Sequence, residues 1–275
     1  DYFATPNRNV NYKIERHPEK WEAFKTYTHN QIGELMSNYG TIDILWLDGG
    51  WVSPRNNQDI DMPQIAAMAR AKQPGLLVVD RTIHGKYENY QTPEQKIPEH
   101  QLPYPWESCV TLTTDWGWVK NPVYKTPNRI ISILMEVVAK GGNLLLGVGP
   151  TAEGLIEQPT VKRLQEIGRW MQKNGKAIYH TRITPNYHCG NVWFTADKNG
   201  RTLYALYALP EGETLPAVIE WEGNVPERGT SVRLLSTGQR MKWIERDGKV
   251  AVTLPAKLAG STEPSVLQFN TPLPK

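Results

Sequence analysis

A parallel α/β portion followed by a small antiparallel β domain is the fold class that this 275-residue sequence predicts. Three observations carry that expectation. Up to about Thr184, stretches with helical spacing alternate with short, wholly apolar runs, the pattern of strands covered by helices. Beyond it the runs become short and β-rich, and are separated by turn pairs such as Asn199-Gly200 and Asp247-Gly248. A hydrophobic content of 39% is enough to build one large core and one small one.

In chain order, Trp21, Phe24, Thr28, Ile32, Leu35 and Tyr39 recur every three or four positions, so residues 18–39 read as an amphipathic helix that Gly40 stops. Residues 42–47 are almost all apolar and partly β-branched, which predicts a strand buried on both faces. The pattern repeats with a helix over 62–72, capped by Asp61 with Pro63 in its first turn, and then the strand "LLVVD". Residues 81–105 are rich in proline and polar groups and too long for an ordinary connection, which marks them as functional or disordered. A helix over 128–140 ends at a glycine pair, "NLLLGV" is the next buried strand, and a helix over 158–174 closes the region. Strands follow in "NVWFTAD", "TLYALYAL", "AVIEW", "SVRLLST", "MKWIER", "KVAVTL" and "VLQFN". The expected domains are therefore 1–184 and 185–275. A complete eight-stranded (β/α) barrel needs roughly 250 residues, so the first domain is either an open sheet or a barrel entered part-way.

Composition excludes several functions. A net charge of +3 with both signs interspersed lacks the basic stripe of a nucleic-acid binder. Cys109 and Cys189 are far apart without metal-ligand spacing, so no metal site is expected and both read as buried thiols, with a disulfide between them as the alternative. No apolar run approaches the ~20 residues of a membrane span, and the first residues lack the order of a signal peptide, as in a cytoplasmic or processed chain. "GVGPTAEG" lacks the lysine and the glycine spacing of a phosphate loop, and His180 and His188 have no nucleophile nearby. Ten Trp and twelve Tyr against four Phe suit a surface that meets amphipathic ligands such as sugars.

Two strands end in groups that carry chemistry. Asp48 closes the first predicted strand, at the end where α/β folds place ligands. Two glycines then remove crowding side chains, and Trp51 offers an apolar wall. Capping a turn is the structural alternative for such an aspartate. Arg81 occupies the equivalent place after the second strand, positioned to hold a substrate hydroxyl or to pair with Asp48. An arginine beside a carboxylate favours its ionised form, the state a nucleophile needs. A proton donor must then come from elsewhere, and Glu88, Glu94, Glu99 and Glu107 are the carboxyl groups of the long segment and its end.

The motifs "YGTIDILWLDGGW", "VVDRT", "YQTPEQKIP", "PWESCVTLTTDWGWV", "VVAKGGNLLLGVGPTAEGLI" and "RLQEIGRWMQKNGKAIYHT" occur in this order. Together they resemble the α-L-fucosidases of glycoside hydrolase family 29, over about residues 18–184. The resemblance implies a TIM-type (β/α)8 barrel, of which this chain holds the C-terminal part, followed by an antiparallel β-sandwich. The N-terminal half of the barrel is then expected from a missing segment or another chain. It further implies a retaining hydrolase of terminal α-L-fucose, needing no cofactor and meeting fucosylated glycans in a secreted or periplasmic setting. Asp48 becomes the nucleophile; Trp51, Arg81 and Trp116 line the fucose pocket, with Trp116 against its methyl-bearing face. Glu94, in "TPEQ", matches the acid/base position, with Glu107 in "PWES" as its rival and otherwise a substrate-orienting group. A binding protein without catalysis, or a retaining enzyme for another sugar such as galactose, are the alternatives.

Overall fold

The computed structural model describes residues 14–50, 52–81 and 85–271. The chain forms two compact units, Asp1–Thr92 and Pro93–Lys275.

The first unit contains α1 (Pro18–Asn38), β1 (Ile44–Leu47), α2 (Met62–Lys72) and β2 (Leu77–Asp80). Helix α2 starts where Asp61 accepts a hydrogen bond from the Gln64 backbone N–H, the cap read from the sequence. β1 and β2 are parallel, in register from Ile44↔Leu77 to Leu47↔Asp80. Leu45 and Val78 form one core with Trp21, Ile32 and Met36 of α1 and Ile65 and Ala69 of α2. Both helices cover that one face. On the opposite face the register partners Ile44 and Leu77 are 44% and 42% exposed, whereas Val79, opposite Trp46, is fully buried. Burial on both faces is thus found toward the C-terminal end of the pair and not at its start, where Ile44 and Leu77 are exposed. The long segment is also tied down near its start: the Asn89 N–H donates to the Val78 carbonyl, and the Asn89 side-chain Oδ1 accepts from the Val78 N–H.

The second unit begins with β3 (Glu107–Thr111), α3 (Pro127–Ala139), β4 (Asn143–Gly147) and α4 (Gln158–Asn174). β3 and β4 are parallel, from Glu107↔Asn143 to Thr111↔Gly147. A nine-stranded antiparallel sheet follows: β5 (Thr181–Arg182), β6 (His188–Cys189), β7 (Val192–Asp197), β8 (Thr202–Tyr207), β9 (Val218–Glu222), β10 (Val232–Leu234), β11 (Arg240–Arg246), β12 (Lys249–Thr253) and β13 (Ser265–Asn270). Its order is β5-β7-β8-β13-β10-β11-β12-β9, with β6 paired to β7. Six strand spacings separate β7 from β9, about 29 Å in a flat sheet. Yet the rings of Phe194 and Trp221 lie 5.9 Å apart. The sheet therefore folds over on itself like a sandwich, around one core built from β7 to β13. Helices α3 and α4 cover part of its outer face through Ile131, Met135 and Trp170 against Tyr204, Leu206 and Val266.

His188 stacks on Trp193 with ring centroids 3.8 Å apart, which gives it a packing role. Both cysteines are free thiols; Cys109 is buried as expected, whereas Cys189 is half-buried and accepts from the Glu222 N–H. Among the described residues no helix is long and apolar enough to cross a membrane.

Candidate active site

Asp48 follows β1 and Arg81 follows β2, so the parallel register delivers both to the same C-terminal end of the pair. Arg81 Nη1 donates to Asp48 Oδ1 at 3.0 Å. The arginine side chain is 15% exposed and the carboxylate 67%. Beneath the pair, the guanidinium lies over the ring of Trp46, 4.9 Å from its centroid, a cation–π contact that fixes its plane. Gly49 donates its backbone N–H to the same Oδ1 at 2.9 Å. Both bonds fall on Oδ1, and among the described residues Oδ2 has none. Gly49 has φ +131°, a conformation open to glycine, so the chain turns away immediately after the carboxylate. The result is a carboxylate held by one oxygen and presented by the other. Trp51 lies outside the described residues.

In the second unit, residues 93–95 run alongside β3. Cys109 N donates to Pro93 O at 3.0 Å, and Gln95 N to Cys109 O at 2.8 Å. Gln95 takes φ +52°, rare for a residue with a side chain, and its amide donates to Thr111 Oγ1 at 3.0 Å. Glu94 is thereby fastened beside the strand, where Trp116 Nε1 donates to its Oε1 at 2.8 Å. Two candidates thus meet directly.

Trp116 belongs to the loop after β3, which is pinned from below. Lys125 Nζ donates to the carbonyls of Thr111 (2.7 Å) and Thr113 (3.0 Å). Burial, with a smaller contribution from Arg129, holds its pKa below the ordinary lysine value. The glycines of "KGGNLLLGVGP" complete the seat. A Cβ at Gly147 would come within 2.8 Å of the Trp116 ring, and one at Gly149 within 2.4 Å of the Gly117–Trp118 backbone. The two motifs occur together because one is the steric mould of the other.

Glu107 is placed differently. It opens β3, half-buried and in register with Asn143. Four residues of strand, about 13 Å, separate it from Thr111, where the loop carrying Trp116 departs. Among the described residues no group of three or more His, Cys, Asp or Glu is arranged to hold a metal.

The α-L-fucosidase family profile matches residues 2–176. The chain belongs to the α-L-fucosidase family. The human plasma α-L-fucosidase is 30% identical over 262 residues, covering 87% of this chain and 53% of that protein. The human tissue α-L-fucosidase is 28% identical over 287 residues, covering 92% and 59%. This family member therefore spans about half the length of the curated relatives it matches. Among solved structures, α-L-fucosidase isoenzyme 1 from Paenibacillus thiaminolyticus superposes with a TM-score of 0.80 at 26% identity, over 99% of this chain and 70% of that one. The Thermotoga maritima α-fucosidase does so with 0.72 at 29%, over 90% and 56%. The alternating β/α region and the antiparallel sheet of this fucosidase-family chain are thus those of the family 29 fold.

Three contributors escape a reading of the sequence. Trp46 is hidden within an apolar run, and Gln95 looks like one more polar loop residue. Lys125 acts through carbonyls, which leave no mark in a sequence. The glycines of "GGNLLLGVGP" are visible as a motif, and their spacing against "PWES" and "DWGW" was the usable signal.

Proposed function

We propose that this member of the family is a retaining exo-hydrolase of terminal α-L-fucosides. The observation that carries the reading is Asp48, an exposed carboxylate at a strand's C-terminal end whose Oδ1 is bonded to Arg81 at 3.0 Å. In this proposal Asp48 attacks the anomeric carbon, while Glu94 protonates the leaving oxygen and then activates the water that releases fucose. The family resemblance assigns Trp51, Arg81 and Trp116 to the fucose-binding side chains of this proposal. Trp116 combines two parts, a partly exposed face for the sugar and an N–H that orients Glu94. Glu94 is preferred to Glu107 because it meets Trp116, whereas Glu107 sits at the start of β3. Further support comes from relatives: the Thermotoga maritima enzyme, 26% identical in this comparison, was solved in complex with a mechanism-based inhibitor.

Half the length of the relatives is a reason to expect more of the barrel from additional sequence or another chain. The proposal includes this, together with fucosylated glycans as substrates and a secreted or periplasmic setting. The test is hydrolysis of an aryl α-L-fucoside against the aryl galactoside, with Asp48→Asn as the control. Fucoside turnover that vanishes in the variant supports the reading. Preference for the galactoside, or fucose binding without turnover, replaces it with one of the two alternatives.

A further inference from the structure

The antiparallel sheet carries a polar groove that the proposed hydrolysis does not use. Val232, Leu234 and Met241 point into the core, which turns Arg233 of β10 and Arg240 of β11 to the outer face. The ladder sets Arg233 directly opposite Arg240, with Gln268 of β13 opposite Arg233 on the other side. Like charges directly opposed across a ladder work against the pairing. Among the described residues neither has an ion pair: Arg233 Nη1 donates to the Gly238 carbonyl at 3.0 Å, and the Arg240 side chain has no hydrogen bond with any described residue. Arg233 and Arg240 both line an open groove of about 370 Å³, within the range of small-ligand sites. Its polar lining is completed by Gln268, Asn270, Ser231 and Thr230, whose hydroxyl donates to the Glu227 carbonyl, with no Asp or Glu among the lining residues.

We propose that this groove binds a sulfated or carboxylated saccharide. Two guanidinium forks from adjacent strands match the oxygens of a sulfate or carboxylate. Amides and hydroxyls that both donate and accept match ring hydroxyls. A nucleic acid is disfavoured, since a strand of phosphates needs a continuous basic track and the chain's net charge is only +3. The proposal stands on these residues and is independent of the role given to Asp48.

Calorimetric titration of the full chain with a sulfated galactan tetrasaccharide tests it, because that probe carries no fucose. Binding is expected, and the desulfated tetrasaccharide should bind at least tenfold more weakly. Arg233→Gln with Arg240→Gln should lose at least tenfold, while Lys249→Gln, on the same sheet and paired to Glu220, leaves affinity unchanged. Removing two opposed like charges does not weaken the ladder, so the double variant should melt no lower than the parent. Equal affinity for both saccharides would overturn the proposal. So would equal affinity for a DNA oligomer of matched charge, undiminished binding by the double variant, or inorganic sulfate binding as tightly as the saccharide.

Discussion

Alanine at Gly142 would set a methyl carbon 2.5 Å from Cε2, Cζ2 and Cη2 of Trp106, a ring 1% exposed. Relaxed carbon contacts lie near 3.5 to 4.0 Å, so the ring or the strand must give way by about 1 Å. Trp106 is enclosed by Val110, Leu112, Ile130, Ile133 and Val137 and cannot retreat. Overpacking of this kind costs about 1–3 kcal/mol, and a fully enclosed double ring places Gly142→Ala near the top of that range. The same methyl at Gly147 meets a different neighbour. It would lie 2.8 and 2.9 Å from Cζ3 and Cε3 of Trp116, a ring 43% exposed that can swing into solvent. The stability cost is then below about 1 kcal/mol, but the indole N–H leaves Glu94. Misplacement by ~1 Å near reacting groups costs up to ~10²-fold in rate. Urea titration beside kcat/KM on an alkyl fucoside separates the two variants. Gly142→Ala should lose stability, and Gly147→Ala should lose at least tenfold in kcat/KM with its urea midpoint nearly unchanged. Equal destabilisation, or full activity in Gly147→Ala, would refute the reasoning about the Trp116 seat.

Asp48→Asn should abolish turnover yet shift stability by less than about 1 kcal/mol, because its ion pair is largely exposed on the carboxylate side; circular dichroism and activity on one sample check both. Glu94→Ala should slow alkyl fucosides far more than activated aryl ones, whose leaving groups need little protonation. Glu107→Ala should not discriminate between them, and the reverse pattern would exchange the two roles. Burial, aided by Asp197, raises the Tyr204 hydroxyl above its ordinary pKa of 10.0. A folded-state pKa above the unfolded one gives stability that is present below pH 10 and lost as pH climbs through the raised value. Tyr204→Phe should remove that alkaline loss, as read from urea midpoints across the window.

The helices were legible because each carries its own local signals. Asp61 caps α2, the predicted 62–72 matches Met62–Lys72, and 158–174 matches Gln158–Asn174. β3 was not legible as a strand. "ESCVT" is short, mixed in polarity and preceded by prolines, and its pairing to "NLLLG" is a long-range fact that no local pattern announces. β5 and β6, two residues each, are set by pairing to β7 and not by composition. Burial on both faces failed at Ile44, the first residue of β1, for a related reason, since an apolar run states what a residue tolerates and not what covers it. At the site, Asp48 and Arg81 could be paired from their equivalent positions after successive strands. The Trp116–Glu94 bond could not, because it depends on a loop folding back over Gly147.

The central claim is that Asp48 is the nucleophile of a retaining fucosidase, and covalent trapping tests it most directly. The chain, alone and with any N-terminal sequence its gene encodes, would be incubated with 2-fluoro-fucosyl fluoride and digested for mass spectrometry. The account predicts one fluorofucosyl adduct, on the peptide containing Asp48, absent in Asp48→Asn. An adduct on another carboxylate, or fucoside turnover with no adduct at all, would contradict it.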